Sequence, residues 1–194
     1  MNLTIVRGDL TLARDLSFTV EGGGALVVTG ENGSGKSTLL RVLAGLLSPD
    51  GGTVFLTLGD EAAPIGENAH YLGHDNAMKA DLTVRENIAF WSDMLGEGEE
   101  LMAEAADALA IAHLLDLPFH YLSAGQRRRA ALARLWTVPR PLWLLDEPTA
   151  ALDARSEGAV REMIEAHRAE GGMVVAATHV DLGLAGAASL AMGE

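Results

Sequence analysis

The 194-residue chain contains no cysteine. Disulfides, thiolate nucleophiles and cysteine-based zinc sites are therefore excluded, and the absence accords with a reducing compartment. Positive charge is scarce: 14 Lys and Arg stand against 27 Asp and Glu, for a formal charge of −13. A surface this acidic repels phosphate backbones and anionic leaflets, so neither nucleic acid nor direct lipid insertion is expected. Long apolar runs are also missing; stretches such as Met173–Ala177 are of strand length, far below the ~18–20 residues of a spanning helix. Arg7 and Asp9 interrupt what would have to be the apolar centre of a signal peptide. The chain is expected to stay in the cytoplasm and to reach any membrane through another protein. With 48% hydrophobic residues and 22 Gly, composition is that of a globular chain of about one domain, for which ~100–200 residues is usual.

What is present is an alternation of strand and helix signals. Leu16–Val20 reads as a strand, Gly22, Gly23 and Gly24 break it, and Ala25–Thr29 is a continuous apolar strand of the buried kind. A helix is expected from Lys36 to Leu47, with Leu39, Leu40, Leu43, Leu46 and Leu47 at spacings of three and four, closed by Pro49–Gly52. Thr53–Leu58 and Ala69–Gly73 read as strands. Thr83–Leu95 and Glu99–Leu115 have helical period, and this region is rich in acid (Glu97, Glu99, Glu100, Glu104, Asp107). Ser123–Val138 is a further helix, capped by Ser123 and ended by Pro139 and Pro141. Leu142–Leu145, Met173–Ala177 and Ala187–Met192 read as strands, with a helix over Asp153–Ala169. The pattern predicts an α/β fold with a mainly parallel sheet and a helical insert.

Gly30-Glu31-Asn32-Gly33-Ser34-Gly35-Lys36-Ser37 fits G-x-x-x-x-G-K-[ST], and it lies between a buried strand and a helix, where that motif works. Glycines let successive N–H groups turn inward, the helix start adds its positive end, and Lys36 neutralises phosphate charge. Ser37 is the expected Mg²⁺ hydroxyl and Thr38 an α-phosphate contact. The chain has only two lysines, Lys36 and Lys79, so a chance lysine after a glycine-rich turn is the weaker explanation.

Downstream, Leu142-Trp143-Leu144-Leu145-Asp146-Glu147 delivers two carboxylates to the C-terminal end of a strand, the edge where open α/β sheets bind ligands. Asp146 is suited to Mg²⁺, directly or through water, and Glu147 to deprotonating an attacking water. Leu122-Ser123-Ala124-Gly125-Gln126 opens a helix and offers a second anion site. Arg127, Arg128 and Arg129 are expected to form a solvated face.

GENGSGKST, LSAGQ, LWLLDE, the Ala150–Asp153 turn and His179 after a strand, in that order, resemble the ATP-binding subunits of ABC transporters. The resemblance covers essentially the whole chain. It implies one ABC ATPase domain of the P-loop NTPase class over residues 1–194, with a core at about 1–74 and 140–194, an antiparallel β portion near the N-terminus, and a helical subdomain at about 75–139. It implies ATP and Mg²⁺ as ligands, and a head-to-tail pairing with a second copy. In that pairing Ser123, Ala124, Gly125 and Gln126 cap ATP held by the other copy, Asp153 crosses the interface, and His179 touches the γ-phosphate. An integral membrane permease is the implied partner.

Two positions depart from the family. His74 stands where most members have Gln; Mg²⁺ prefers oxygen, so His74 is expected to hydrogen-bond the attacking water or a metal-bound water. Arg7 stands where an aromatic ring usually stacks on adenine, and its planar guanidinium is the expected substitute. Gly73-His74, Leu82–Asn87, LSAGQRRRAALARLW and Gly171–Val174 are similar in detail to the ATP-binding subunits of heme exporters in cytochrome c maturation. That similarity implies a heme-exporter-type permease and a place on the cytoplasmic face of the bacterial inner membrane. The six His form no heme-attachment pattern. Another ABC exporter, a non-transport ABC ATPase, and a subunit that binds ATP without turning it over stay open on the residues alone.

Overall fold

A computed structural model describes residues 2–95 and 101–193, arranged as two compact units. The first unit comprises Met1–Tyr71, Pro141–Glu147 and His167–Glu194; the second comprises Leu72–Arg140 and Pro148–Ala166.

The first unit is built on a five-stranded sheet in the order β6-β7-β8-β3-β9, from Ala69–Leu72 (β6), Leu142–Asp146 (β7), Met173–Ala177 (β8), Ala25–Thr29 (β3) and Ala188–Ala191 (β9). β3 lies parallel to both β8 and β9, and β7 parallel to β8. The α/β class with a mainly parallel sheet is thus observed. β3, β7 and β8 are largely apolar along their length, helix α1 (Lys36–Leu43) packs on β7 and β8, and Val28, Leu39, Leu40 and Leu144 are fully buried. Each such buried Leu contributes on the order of 1.5–3 kcal/mol of transfer free energy.

Two antiparallel hairpins complete this unit: Leu3–Arg7 (β1) with Leu10–Leu16 (β2), and Leu56–Leu58 (β4) with Glu61–Ala63 (β5). Here the strand expected at Leu16–Val20 is displaced. The ladder runs earlier, from the Gly8 turn (φ 62°), and ends at Leu16 opposite Leu3, because Asn2 takes φ 52° and leaves the extended conformation, its N–H donating to Ser17 Oγ. Thr53–Leu58 is likewise shortened to Leu56–Leu58, which turns at Gly59 (φ 61°) to pair with β5. Helix α1 stops at Leu43, not Leu47. Gly45 adopts φ 72° and the N–H of Leu46 reaches back to Arg41, a glycine-dependent C-terminal cap that leaves Leu46 and Leu47 exposed. A short helix, Ile65–Asn68 (α2), leads into β6.

The second unit is mostly helical: Val84–Leu95 (α3), Met102–Ala108 (α4), Ala124–Thr137 (α5) and most of Ala154–Ala169 (α6). α3 and α4 both pack on α5. The helix expected over Glu99–Leu115 is interrupted, because Ala110 takes φ 50° and only a 3₁₀ turn, Ala112–Leu114, follows. Its expected start at Glu99 and Glu100, with Glu97, lies outside the described residues. Among the described residues no helix is long and apolar enough to cross a membrane.

Candidate nucleotide site

The loop after β3 is shaped by glycines at backbone angles that other residues rarely adopt. Gly30, Gly33 and Gly35 have φ of 141°, 87° and 102°. A Cβ on Gly30 would lie 2.4 Å from the Met192 carbonyl oxygen and 2.7 Å from Ser34 Oγ; one on Gly35 would meet Leu12 Cβ at 3.0 Å. The Ser34 hydroxyl is buried and finds no hydrogen-bond partner among the described residues. Lys36 is buried, and its ammonium donates to the carbonyls of Gly30 at 2.7 Å and Glu31 at 2.9 Å. An unpaired ammonium buried this far would be costly, so the two carbonyls hold it within the loop. Ser37 and Thr38 follow, half-buried in the first turn of α1, while Glu31 and Asn32 are exposed.

Helix α1 also differs at its start from α3, α5 and α6, which carry side-chain caps, and from α2 and α4, which lack a side-chain cap too but have an acid in the first turn. Thr83 and Glu86 form reciprocal bonds at the start of α3, with the Glu86 carboxyl held below its usual range chiefly by the Thr83 N–H. Ser123 and Gln126 form a capping box on α5, and Asp153 Oδ1 accepts from the Ser156 N–H on α6. The Ser156 N–H and hydroxyl likewise hold the Asp153 carboxyl below its usual range. By contrast, α1 begins at Gly35 with no side-chain cap and no acid in its first turn. Its N-terminal amides are left for an anion.

At the end of β7, Asp146 is buried and pairs in register with Ala177. Glu147 turns the chain with φ 48°, its N–H donating to the Ala177 carbonyl at 2.8 Å. Its carboxylate accepts from Thr178 Oγ1 at 3.1 Å, and His179 Nδ1 lies 3.0 Å from both carboxylate oxygens. A carboxylate only accepts, so Nδ1 carries the proton and the exposed ring presents Nε2. Thr178 was not anticipated from the sequence; its one signal is a hydroxyl next to His179. Among the described residues no group of three or more His, Cys, Asp or Glu could hold a metal.

The first unit thus brings the phosphate loop, Asp146, Glu147 and His179 into one body, with Arg7 exposed at the end of β1. His74, Ser123–Gln126 and Asp153 belong to the second unit. There His74, Ser123 and Ala124 are exposed. A Cβ on Gly125 would lie 2.7 Å from the Ala151 carbonyl oxygen, so this glycine lets the Ala150–Asp153 turn approach α5. The expected solvated face is observed only in part: Arg127 is exposed and Arg129 half-buried, whereas Arg128 is buried. Arg127 Nε donates to the Leu122 carbonyl, and Arg129 Nη1 to those of Leu109 and Ala110. The helix terminus and loop carbonyls around α5 need donors, and these side chains supply them.

Comparison with known proteins agrees with this geometry. The family profile described as "ABC transporter" matches residues 13–150. The chain belongs to the ABC transporter family, whose ATP-binding subunits hydrolyse ATP. Within that family it is 53% identical to the "Cytochrome c biogenesis ATP-binding export protein CcmA" of Rhizobium meliloti (strain 1021), over 98% of this chain and 94% of that protein. It is 52% identical to the protein of the same description from Brucella abortus (strain 2308), over 97% of this chain and 87% of that one. In fold it is similar to a putative ABC transporter ATP-binding protein from Pyrococcus furiosus, with a TM-score of 0.83 at 22% identity, covering 98% and 94% of the two chains.

Proposed function

We propose that this chain is the ATP-hydrolysing subunit of a heme-exporter-type complex of cytochrome c maturation, bound peripherally on the cytoplasmic face of the bacterial inner membrane through an integral membrane permease. The observation that carries the ATPase reading is the uncapped start of α1 beside the buried ammonium of Lys36. The buried hydroxyl of Ser34 suits a phosphate oxygen. The cargo rests on identity of about half the residues to proteins named for cytochrome c biogenesis export.

In this reading the amides of Gly33–Thr38 and Lys36 bind the phosphates, Glu31 and Asn32 shape the loop, and Arg7 stacks on the base. The buried carboxylate of Asp146 and the hydroxyl of Ser37 are oxygen ligands of the kind Mg²⁺ takes when phosphates complete its shell. Mg²⁺, when bound, offsets charge developing on the phosphates. Glu147 takes a proton from water as its oxygen attacks the γ-phosphorus and the bond to the β-phosphate oxygen breaks, leaving ADP and phosphate. His179 and Thr178 fix the Glu147 carboxylate, and His74 orients water. Ser123, Ala124, Gly125 and Gln126 cap the γ-phosphate held by a second copy, and Asp153 reaches that copy. The chain works as one ATPase domain over its whole length, with a helical subdomain at about 75–139. Exposed Phe90 and Met94 on α3 give the second unit an apolar surface suited to a protein partner.

Tagged Glu147→Gln protein, with ATP and Mg²⁺, is expected to co-purify a cytochrome c maturation permease from native membranes in mild detergent. An unrelated permease, or none, would retire the heme-exporter reading.

A further inference from the structure

We propose that Arg128 is a positioning residue for ATP hydrolysis, fixing the His74 loop and the turn after Glu147 onto the first turns of α5. The inference rests on the ATPase reading above. Arg128 lies five residues after the capping Ser123 and is only 4% exposed. Its Nη1 donates to the Gly73 carbonyl at 2.9 Å and to Asn76 Oδ1 at 3.1 Å, and its Nε lies 3.4 Å from the Pro148 carbonyl. Gly73 immediately precedes His74, and Pro148 immediately follows Glu147.

One planar group therefore ties together the peptide before one proposed water-orienting residue, the Pro148–Thr149 peptide one residue beyond the proposed base, and the helix that carries Ser123. Gly125 adds a second tie between the same helix and the same turn, since its missing Cβ admits the Ala151 carbonyl. A guanidinium presents several N–H donors in a rigid fork, whereas an ammonium on a flexible stem cannot serve carbonyls on opposite sides with the same geometry. Lysine at this position keeps the charge and loses the alignment.

The test uses the full chain: wild type, Arg128→Lys, Asn76→Ala and the double variant, each assayed well below its own melting transition and with ATP stoichiometry measured. Small misplacement of reacting groups lowers turnover more than binding, so Arg128→Lys is expected to lower kcat about tenfold with KM for ATP unchanged. Asn76→Ala is expected to lose less, and the double variant no more than Arg128→Lys alone, because both act through one contact. Arg128→Gln, whose single amide nitrogen cannot reach both the Gly73 and the Pro148 carbonyls, is expected to lose at least as much as Arg128→Lys; it carries the same test if Arg128→Lys fails to bind ATP stoichiometrically. Wild-type kcat in a folded Arg128 variant, or independent losses that multiply in the double variant, would overturn the positioning role. Silencing by Glu147→Gln in the same assay reports separately on the ATPase reading.

Discussion

His179 Nδ1 lies 3.0 Å from both carboxylate oxygens of Glu147, and the Thr178 hydroxyl donates to one of them. The carboxylate is thereby oriented by neighbours on the adjoining β8 edge, while the chain turn at Glu147, with φ 48°, holds its backbone. Removing the imidazole should therefore disorder the base without touching the phosphate loop. His179→Ala is expected to bind ATP normally and to lose on the order of 10²-fold in kcat, as a missing oriented acid–base partner does. Single-turnover hydrolysis beside equilibrium ATP binding separates the two effects.

The phosphate loop makes a different prediction. A methyl group at Gly30 would meet a backbone carbonyl at 2.4 Å and require a φ that only glycine takes readily. Gly30→Ala and Lys36→Ala are both expected to abolish tight ATP binding. Gly30→Ala should in addition destabilise the protein by roughly 1–3 kcal/mol, the usual scale of such backbone strain. Nucleotide titration and chemical denaturation of the two variants check this difference.

At Gly125 the same reasoning predicts a folding cost. An added Cβ 2.7 Å from the Ala151 carbonyl forces the turn away from α5, and overpacking of this kind costs roughly 1–3 kcal/mol. Gly125→Ala should show that loss in denaturant, whereas Ala124→Gly, at an exposed site, should lose less than about 1 kcal/mol, the helix penalty of glycine.

A pH dependence of stability follows from His167. Its ring stacks on Trp143 at 4.0 Å and 5°, and burial lowers its pKa below the ordinary 6.5, against smaller opposing effects that include the Glu170 carboxylate. The unfolded chain therefore takes up this proton first. The contribution of neutral His167 to stability is complete above pH 6.5 and is lost as pH falls from there through the folded-state value. The melting temperature should drop over that window, and His167→Gln should flatten this part of the profile. An unchanged profile would contradict the assignment.

His74 carries a milder expectation: His74→Gln should remain active, because an amide can orient water as an imidazole does. Complete inactivity in a turnover assay would show a role for the ring that a hydrogen bond alone does not supply.

Much of this was legible in the sequence because local rules and tertiary packing agree there. Ala25–Thr29, Met173–Ala177 and the Ser123 cap fell where apolar runs and capping chemistry place them. The losses occur where a partner strand or one backbone angle decides. Leu16–Val20 is β-like in composition, but its ladder stops at Leu16 because Asn2, next to the partner Leu3, takes φ 52° and leaves the strand. Leu46 and Leu47 continue the helical period, yet Gly45 ends the helix first. In the candidate site the motif residues were visible, whereas Thr178 and Arg128 were not. Their roles depend on contacts across 31 and 55 residues, and no local pattern encodes those distances.

The carboxylate of Glu147 is proposed to drive ATP hydrolysis at a site built on the α1 loop. The most direct test is ATP turnover and ATP affinity in the full chain, wild type against Glu147→Gln. Glu147→Gln is expected to keep the wild-type affinity with kcat lowered on the order of 10²-fold or more. Turnover retained in Glu147→Gln would contradict it.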